Sequence, residues 1–427
     1  MKSLSPLLLF LLLYLGVSLW AGDFYKVPVT VAFLVSSIYA IALSKGSLQE
    51  RITRYSQGAG APTVLLMVWI YILAGAFAAS AKAMGAVDAT VNLTLQLLPA
   101  SLLLPGIFLA ACFISLAIGT SVGTIVALTP VAVGIAQQSQ VTLPLMVAIV
   151  VGGAYFGDNL SFISDTTIAA TQTQGCQMRD KFRTNIRLVL PVALIMLGVY
   201  WWLGRGIDIP QTLPQVDWWR VIPYLAVIVT AVVGLNVMLV LLIGLLLTLT
   251  IGLIDGSYDL FGWMGSLGTG INSMGELIIM AMLAAGMLEL IRDMGGIDYL
   301  IRHLTRGIRG SRGAQFVISL LVCLVNVCTA NNTVAILTSG PIAHRLATQY
   351  GISPRRAASL LDTSSCFTQG LLPYSAQLLV AAGLVEATLG QPLNPAAVVP
   401  YLFYPMGLGV AVVVSVFLSK TKLENRE

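Results

Sequence analysis

Long stretches of this sequence contain no charged side chain. Asp, Glu, Lys and Arg are absent from residues 89–157, 221–254, 313–344 and 387–419. Each stretch can hold at least one membrane span of about 20 residues. The apolar residues run continuously and do not alternate as they would in a barrel strand, so we expect helices, whose backbone groups bond internally. The sequence therefore predicts an all-α polytopic membrane protein.

The composition excludes a water-soluble globule, because only 10% of the residues are charged, against about 25% in an ordinary soluble domain. The net charge of +5 needs no nucleic acid to explain it, since insertion itself requires Lys and Arg on cytoplasmic loops. The five cysteines show no metal-ligand spacing with either histidine, and we interpret them as packing residues. We expect no cofactor apart from Na+ as a transported or coupling ion.

The N-terminus and the basic clusters predict the orientation. An apolar run follows Lys2, and we interpret residues 1–26 as a transmembrane helix, with a signal peptide as the alternative. Basic clusters are expected on the cytoplasmic side. They are Lys45/Arg51/Arg54, Arg179/Lys181/Arg183/Arg187, Arg302/Arg306/Arg309/Arg312, Arg345/Arg355/Arg356 and Lys420/Lys422. Both termini then lie in the cytoplasm, and the expected location is a bacterial cytoplasmic (inner) membrane.

An internal comparison predicts an inverted-topology repeat. TSVGT at 120–124 and TANNT at 329–333 share both threonines at a shift of 209 residues. At the same shift, the basic loops near Arg183 and at 302–312 fall on uncharged segments, which places equivalent segments on opposite sides of the membrane. We predict repeats at 27–205 and 236–420, a connecting segment with a helix at 206–235, and a cytoplasmic tail at 421–427. Such repeats place the substrate site near the midplane, where broken helices or re-entrant hairpins meet.

The densest polar stretch in an apolar context is GDNLSFISDTTIAAT at 157–171. A charge at mid-membrane costs about 2.5–3.5 kcal/mol, so its two carboxylates must face a cavity, a cation or a partner. A helix break between them would free backbone carbonyls for a cation. The alternative is an ordinary extramembrane loop. The predicted site residues here are Asp158, Asn159, Ser161, Ser164, Asp165 and Thr166, with Asp158 and Asp165 as Na+ ligands.

Three further polar segments join this prediction. The amide and hydroxyl side chains of GTSVGT and TANNT suit Na+, a hard cation that prefers oxygen, although small residues also serve plain helix packing. Asp362 in LLDTSSC is a third intramembrane carboxylate, unless it pairs with Arg355 or Arg356 near the cytoplasmic surface. The site residues predicted from these segments are Thr120, Ser121, Thr124, Asn331, Asn332, Thr333, Asp362, Thr363 and Ser364.

These motifs resemble a known family. GTSVGT, then GGAYFGDNLSFISDTT, then LDTSS is similar to the signature of the NhaC-type Na+/H+ antiporters of the ion-transporter superfamily. The resemblance implies inverted repeats, helix hairpins and Na+/H+ exchange. Asn159 stands where the family often has lysine, and Phe162 where proline is common. Relatives with this signature also include carriers of amino acids and organic acids.

The functional prediction is a secondary active transporter that exchanges Na+ and H+ at intramembrane carboxylates. The alternative is a Na+- or H+-coupled transporter of an amino acid or small organic acid. An enzyme is not expected, since the chain has no HExxH motif and no P-loop. The expected partners are membrane lipid, Na+ and H+, with no nucleic acid and with a homodimer as one admissible assembly.

Overall fold

The computed structural model describes residues 2–17, 20, 29–118, 120–139, 141–161, 164–207, 215–233, 235–304, 308 and 310–419, and these contain helices and connecting turns but no strand. The helices up to residue 207 are α1 (Ser5–Leu11), α2 (Val29–Leu43), α3 (Leu48–Ala59), α4 (Pro62–Ala83), α5 (Ala86–Leu97), α6 (Leu103–Ile118), α7 (Ser121–Ser139), α8 (Leu143–Leu160), α9 (Asp165–Gln174) and α10 (Met178–Gly204).

After a connecting helix, the second half repeats this order. The connecting helix is α11 (Trp218–Val232). The helices of the second half are α12 (Val237–Ile254), α13 (Leu260–Ser273), α14 (Gly275–Asp293), α15 (Gly296–Leu304), α16 (Gly310–Thr329), α17 (Asn332–Gln349), α18 (Pro354–Leu371), α19 (Ala376–Leu389), α20 (Pro395–Val398) and α21 (Phe403–Phe417). Helix α2 corresponds to α12, and the correspondence continues in order to α9 and α19, with α10 matching α21.

The helices confirm a polytopic membrane protein. Within the described residues, eight helices are long and apolar enough to cross a membrane, or up to ten if two sharply bent pairs each count as one span. One of these pairs is α5 with the helix that follows it, bent by 111°. The predicted N-terminal span is described only in part. Its described apolar helix, Lys2–Tyr14, is shorter than a span, and residues 18–19 and 21–28 lie outside the described residues.

Equivalent helices of the two halves exchange partners. Helix α4 packs against α13, and its counterpart α14 packs against α3. In the same way α9 packs against α17, and α19 packs against α7. This reciprocal packing is what a pseudo-two-fold axis between two repeats produces, and it agrees with the predicted repeat architecture.

Glycine permits the close crossings of these pairs. A Cβ on Gly75 would overlap the carbonyl of Gly270 where α4 crosses α13. At the equivalent crossing, a Cβ on Gly58 would lie 2.8 Å from the Ala285 carbonyl oxygen and 3.2 Å from the Gly286 Cα. Small residues let membrane helices approach backbone to backbone, so both crossings are closely packed.

Besides the bent pairs, each half has two helix breaks at its polar segments, which confirms the predicted broken helices. The first half is broken between α6 and α7 and between α8 and α9. The second half is broken between α16 and α17 and between α18 and α19. Ala330, at the third of these breaks, has φ of 48°, a left-handed conformation that is costly for a residue with a Cβ. These four breaks bring polar backbone and side chains together inside the protein.

Candidate functional site

Asp158 lies in the last turn of α8 and is 4% exposed. Its Oδ1 accepts a hydrogen bond of 3.0 Å from the backbone N–H of Ser121, the first residue of α7. The carboxylate therefore sits at a helix N-terminus, where unpaired N–H groups and the helix dipole favour negative charge. Among the described residues, no Lys, Arg or His forms an ion pair with Asp158.

The break after α8 is held by hydroxyl groups. The Thr166 and Thr167 hydroxyls donate to the Asp158 carbonyl at 3.2 and 3.4 Å. The Ser164 and Thr166 hydroxyls lie 2.9 Å apart. Ser161, Ser164 and Thr166 are all buried. This part of the predicted polar stretch is thus folded inside the protein.

Asp165 is in a different position. It is the first residue of α9 and is exposed, whereas Asp158 is buried. The helix break separates the two carboxylates, as predicted. The role of Asp165 as a Na+ ligand stays a prediction.

A second buried cluster surrounds Asp362. The Lys181 ammonium lies 2.6 Å from Asp362 Oδ2, and these side chains are 1% and 0% exposed. Lys181 Nζ also donates to the Asn159 carbonyl at 2.7 Å and to the Thr167 hydroxyl at 2.6 Å. Asn185 Nδ2 donates to the Asn159 carbonyl at 2.9 Å and to Asp362 Oδ2 at 3.0 Å. Helices α8, α9, α10 and α18 therefore meet at one ammonium group.

This cluster corrects two expectations. Lys181 was expected in a cytoplasmic basic cluster, but its ammonium is buried and paired with Asp362. The alternative pairing of Asp362 with Arg355 or Arg356 is wrong. Arg356 instead donates to the Gln315 side chain and to the Ser415 hydroxyl.

Helical periodicity could have identified Lys181. Lys181 and Asn185 are four residues apart, and Val189, Ala193 and Met196 continue the same buried face of α10. The neighbouring arginines of the cluster lie on other faces of the helix, which turns once in 3.6 residues. The number of basic residues in the segment does not show that Lys181 and the arginines lie on different faces.

At the break before α17, the predicted amides mainly serve the backbone. Asn331 Oδ1 accepts from the Val334 N–H at 3.0 Å and caps the helix, and Asn332 Oδ1 accepts from the Thr333 N–H at 3.1 Å. On α18, the hydroxyls of Thr363 and Ser364 are buried, with no hydrogen-bond partner among the described residues. At the break before α7, the Thr120 carbonyl accepts a hydrogen bond of 3.1 Å from the Thr124 hydroxyl.

A chain of hydrogen bonds links the breaks of the two halves. Gln377 Nε2 donates to the Ser121 hydroxyl at 3.0 Å. Gln369 Nε2 donates to Gln377 Oε1 at 3.1 Å and to the Ala330 carbonyl at 2.9 Å. Since the Ser121 N–H bonds to Asp158, the chain runs from this carboxylate to Ala330. At the shift of 209 residues Gln369 aligns with Leu160, so the sequence predicts no role for it.

A cavity of about 350 Å³ lies beside the break between α16 and α17. Thr329, Ala330 and Asn331 form part of its wall, and Glu289 and Arg292 also line it. The two buried carboxylates are not among its lining residues. The cavity therefore gives access to the α16–α17 break and leaves the carboxylates enclosed.

This arrangement suits a weakly held monovalent cation. No group of three or more His, Cys, Asp or Glu side chains that could hold a metal occurs in the described part of the chain. One carboxylate with hydroxyl and carbonyl oxygens is instead a donor set for a hard cation that must be released again. Asp158 can hold either such a cation or a proton.

The model of the Na+/H+ antiporter family matches residues 19–205 and 215–420. The gap between the two matched ranges lies in the predicted connecting segment.

Individual relatives are more distant. The malate-2H+/Na+-lactate antiporter of Bacillus subtilis strain 168 is 22% identical over 90% of this chain and 89% of its own length. The Na+/H+ antiporter NhaC of the same organism is 24% identical over 85% of this chain and 84% of its own length. The solved structure of the Alcanivorax borkumensis YdaH transporter covers 97% of this chain and 99% of its own, with 14% identity and a TM-score of 0.41.

Proposed function

This chain belongs to the Na+/H+ antiporter family, and from that membership we propose that it exchanges Na+ for H+ at the carboxylate of Asp158. The family makes the protein a secondary active transporter, and the buried polar cluster is where its ions bind. The observation that carries the proposal is the different surroundings of the two buried carboxylates. Asp362 has the Lys181 ammonium at 2.6 Å, whereas Asp158 has no basic partner among the described residues.

An unpaired buried carboxylate is unstable as a bare anion, because burial removes its hydration and the N–H groups at the start of α7 supply only part of a compensating charge. Asp158 therefore needs either a proton or a cation. Both bind the same two oxygens, so the arrival of one expels the other. Alternating exposure of Asp158 to the two sides then couples Na+ movement in one direction to H+ movement in the other.

Asp362 and Lys181 serve a different purpose in this scheme. Their charges cancel, so the pair requires no exchangeable ion. Because Lys181 and Asn185 on α10 both bind Asp362 on α18, the pair holds these helices together. We assign it to the framework of the site. The hydroxyl and carbonyl oxygens near the two breaks, including those of Thr120, Ser121 and Ser164, are proposed to complete the Na+ shell.

Orientation and assembly belong to the same proposal. The proposed location is a bacterial cytoplasmic membrane, and the basic clusters support an orientation with both termini in the cytoplasm. Lipid covers exposed apolar side chains such as those of Leu194, Ile195 and Leu246. The homodimer stays a prediction.

Transport of an organic acid is the less favoured alternative. One relative in Bacillus subtilis carries malate and lactate by name. Among the described residues, however, no arginine contacts the buried carboxylate cluster, and binding of an organic carboxylate typically uses such a bidentate partner. We therefore propose no organic substrate.

The test is flux in proteoliposomes under an imposed Na+ gradient, with internal pH as the readout. Wild type should release protons with no organic solute present, and lowering the pH should raise the apparent half-saturation concentration for Na+. Asp158→Asn should abolish the exchange, because an amide keeps the volume but cannot trade a proton for a cation. Asp88→Asn is the matched control, since Asp88 is exposed on α5.

Two outcomes would contradict the proposal. One is wild-type exchange by Asp158→Asn with an unchanged response to pH. The other is a wild-type protein that stays silent until malate, lactate or an amino acid is added, which would make the organic solute the substrate.

A further inference from the structure

The ends of α8 and α18 correspond at a shift of 211 residues, two more than the shift of 209 predicted from the sequence. At this shift Gln369 occupies the position in the second half that Asp158 occupies in the first. Asp158 is two residues before Leu160, the last residue of α8, and Gln369 is two residues before Leu371, the last residue of α18. Both side chains contact the break of a neighbouring helix in their own half. Asp158 accepts from the first N–H of α7, and Gln369 donates to the Ala330 carbonyl just before α17.

The residues that follow are equivalent as well. Thr166 is the second residue of α9 and its hydroxyl bonds to the Asp158 carbonyl. Gln377 is the second residue of α19 and its Oε1 bonds to the Gln369 side chain. Thr166 contacts the backbone of Asp158, whereas Gln377 contacts the side chain of Gln369. The two halves therefore bring equivalent positions into contact, with an acid in one half and an amide in the other.

The Gln369 amide nitrogen stands where a cation would bind. It lies between two oxygens, Ala330 O at 2.9 Å and Gln377 Oε1 at 3.1 Å. The Gln369 Oε1 atom is buried and has no hydrogen-bond partner among the described residues. An NH2 group supplies two donors to these acceptors, and a hard cation would satisfy the same acceptors through oxygen coordination.

We propose that the second half holds a silent copy of the cation site, in which the Gln369 amide replaces the ion and so limits the protein to a single exchanged Na+. This inference rests on the proposed role of Asp158. Ala330 also lines the cavity of about 350 Å³, so water and ions can approach the silent site from that side.

The test is Gln369→Glu with equilibrium binding of radioactive sodium to the purified protein at alkaline pH. Glutamate has nearly the volume of glutamine, but as an anion it only accepts hydrogen bonds. Its carboxylate, Ala330 O and Gln377 Oε1 would then face one another with no donor between them. We expect Gln369→Glu to bind about twice as much Na+ as wild type, because each uncompensated buried carboxylate requires an ion.

The combined variant separates this inference from the proposed function. Asp158→Asn alone should bind no Na+, and Asp158→Asn with Gln369→Glu should return to the wild-type amount. If Asp158→Asn alone still binds Na+, the role of Asp158 is wrong. If Asp158→Asn binds none and the combined variant also binds none, the silent site is wrong and the role of Asp158 stands.

Two controls test the geometry. Gln369→Met removes the amide without adding a charge and should add no Na+. Gln377→Leu in the Gln369→Glu background removes one of the three oxygens and should abolish the second Na+. If the Gln369→Glu protein elutes as an aggregate, Gln369→Asp replaces it in the same assay. The proposal is wrong if both acidic variants bind Na+ only at the wild-type amount.

Discussion

At the scale of single residues, the site contains two buried aspartates, Asp158 and Asp362, that differ in their surroundings. Asp158 and Asp362 are both buried, but only Asp362 is paired with an ammonium group. A paired carboxylate stabilises the fold as long as both partners are present, and removal of one partner leaves the other charge uncompensated. An unpaired carboxylate is available to a mobile ion. In the proposed mechanism, the pairing of Lys181 with Asp362 leaves Asp158 as the acid that exchanges ions.

Lys181→Met should destabilise the protein strongly, by about 3–5 kcal/mol, because it leaves Asp362 buried without a counter-charge. Lys181→Met combined with Asp362→Asn should recover most of that loss, since no buried charge then remains. The melting temperatures of the single and the combined variant are measured by heating each protein and monitoring the remaining folded peak by gel filtration with fluorescence detection. Equal melting temperatures for the single and the combined variant would show that the ion pair is not what stabilises this cluster.

Sequence patterns predicted the acids more readily than their partners. Asp158 and Asp362 stand out because a carboxylate in a long apolar context is rare. Lys181 does not stand out, because the arginines beside it make a pattern typical of a cytoplasmic loop. Its pairing depends on a residue in the other half of the chain. Such a contact is set by the packing of α10 on α18, and local periodicity cannot supply it.

At the scale of helices, close packing sets where Asp158 lies. A Cβ on Gly157 would overlap both the side chain and the backbone of Ser115, on α6. Helix α8 therefore lies directly on α6 just before its break. The polar residues of the motif predicted a break between Asp158 and Asp165, and α8 ends at Leu160, between the two. The contact with Ser115 required knowledge of how the helices cross.

Gly157→Ala should slow exchange and lower the melting temperature, because overpacking at this contact costs about 1–3 kcal/mol and displaces the neighbouring Asp158. Gly198→Ala is the matched control on α10. Gly198 has open space where a Cβ would be placed, and alanine favours a helix by about 0.5–1 kcal/mol over glycine. Proteoliposome flux and melting temperature are measured together, and a Gly157→Ala protein equal to wild type in both would refute the positioning argument.

At the scale of the whole molecule, reciprocal packing ties the two halves into one body. Helices α7 and α17 each pack against the short helix of the opposite half, α19 and α9. The chain of hydrogen bonds through Gln377 crosses the same boundary. The order of helices was predictable from the shift of 209 residues and from the loop charges. The exchange of partners was not, because it depends on contacts between distant segments.

Inverted topology predicts which loops face which side. Single cysteines replacing Arg183 and Arg312 should react with an impermeant reagent only from the cytoplasm, and cysteines replacing Asp88 and Gln391 only from outside. All four positions are exposed. The five native cysteines are removed first, since none forms a disulfide in the described structure. Labelling of positions 183 and 391 from the same side would rule out the inverted arrangement.

The buried pair of Lys181 and Asp362 also has a consequence for how the chain is made. Lys181 is synthesised long before Asp362, and at about 5–20 residues per second the delay is roughly 10–35 s. During that time the ammonium group lacks its counter-charge, and of its partners only the Asn159 carbonyl and the Thr167 hydroxyl have been made. The ion pair between α10 and α18 can form only after α18 has been made, so completion of this cluster waits for translation of the second half.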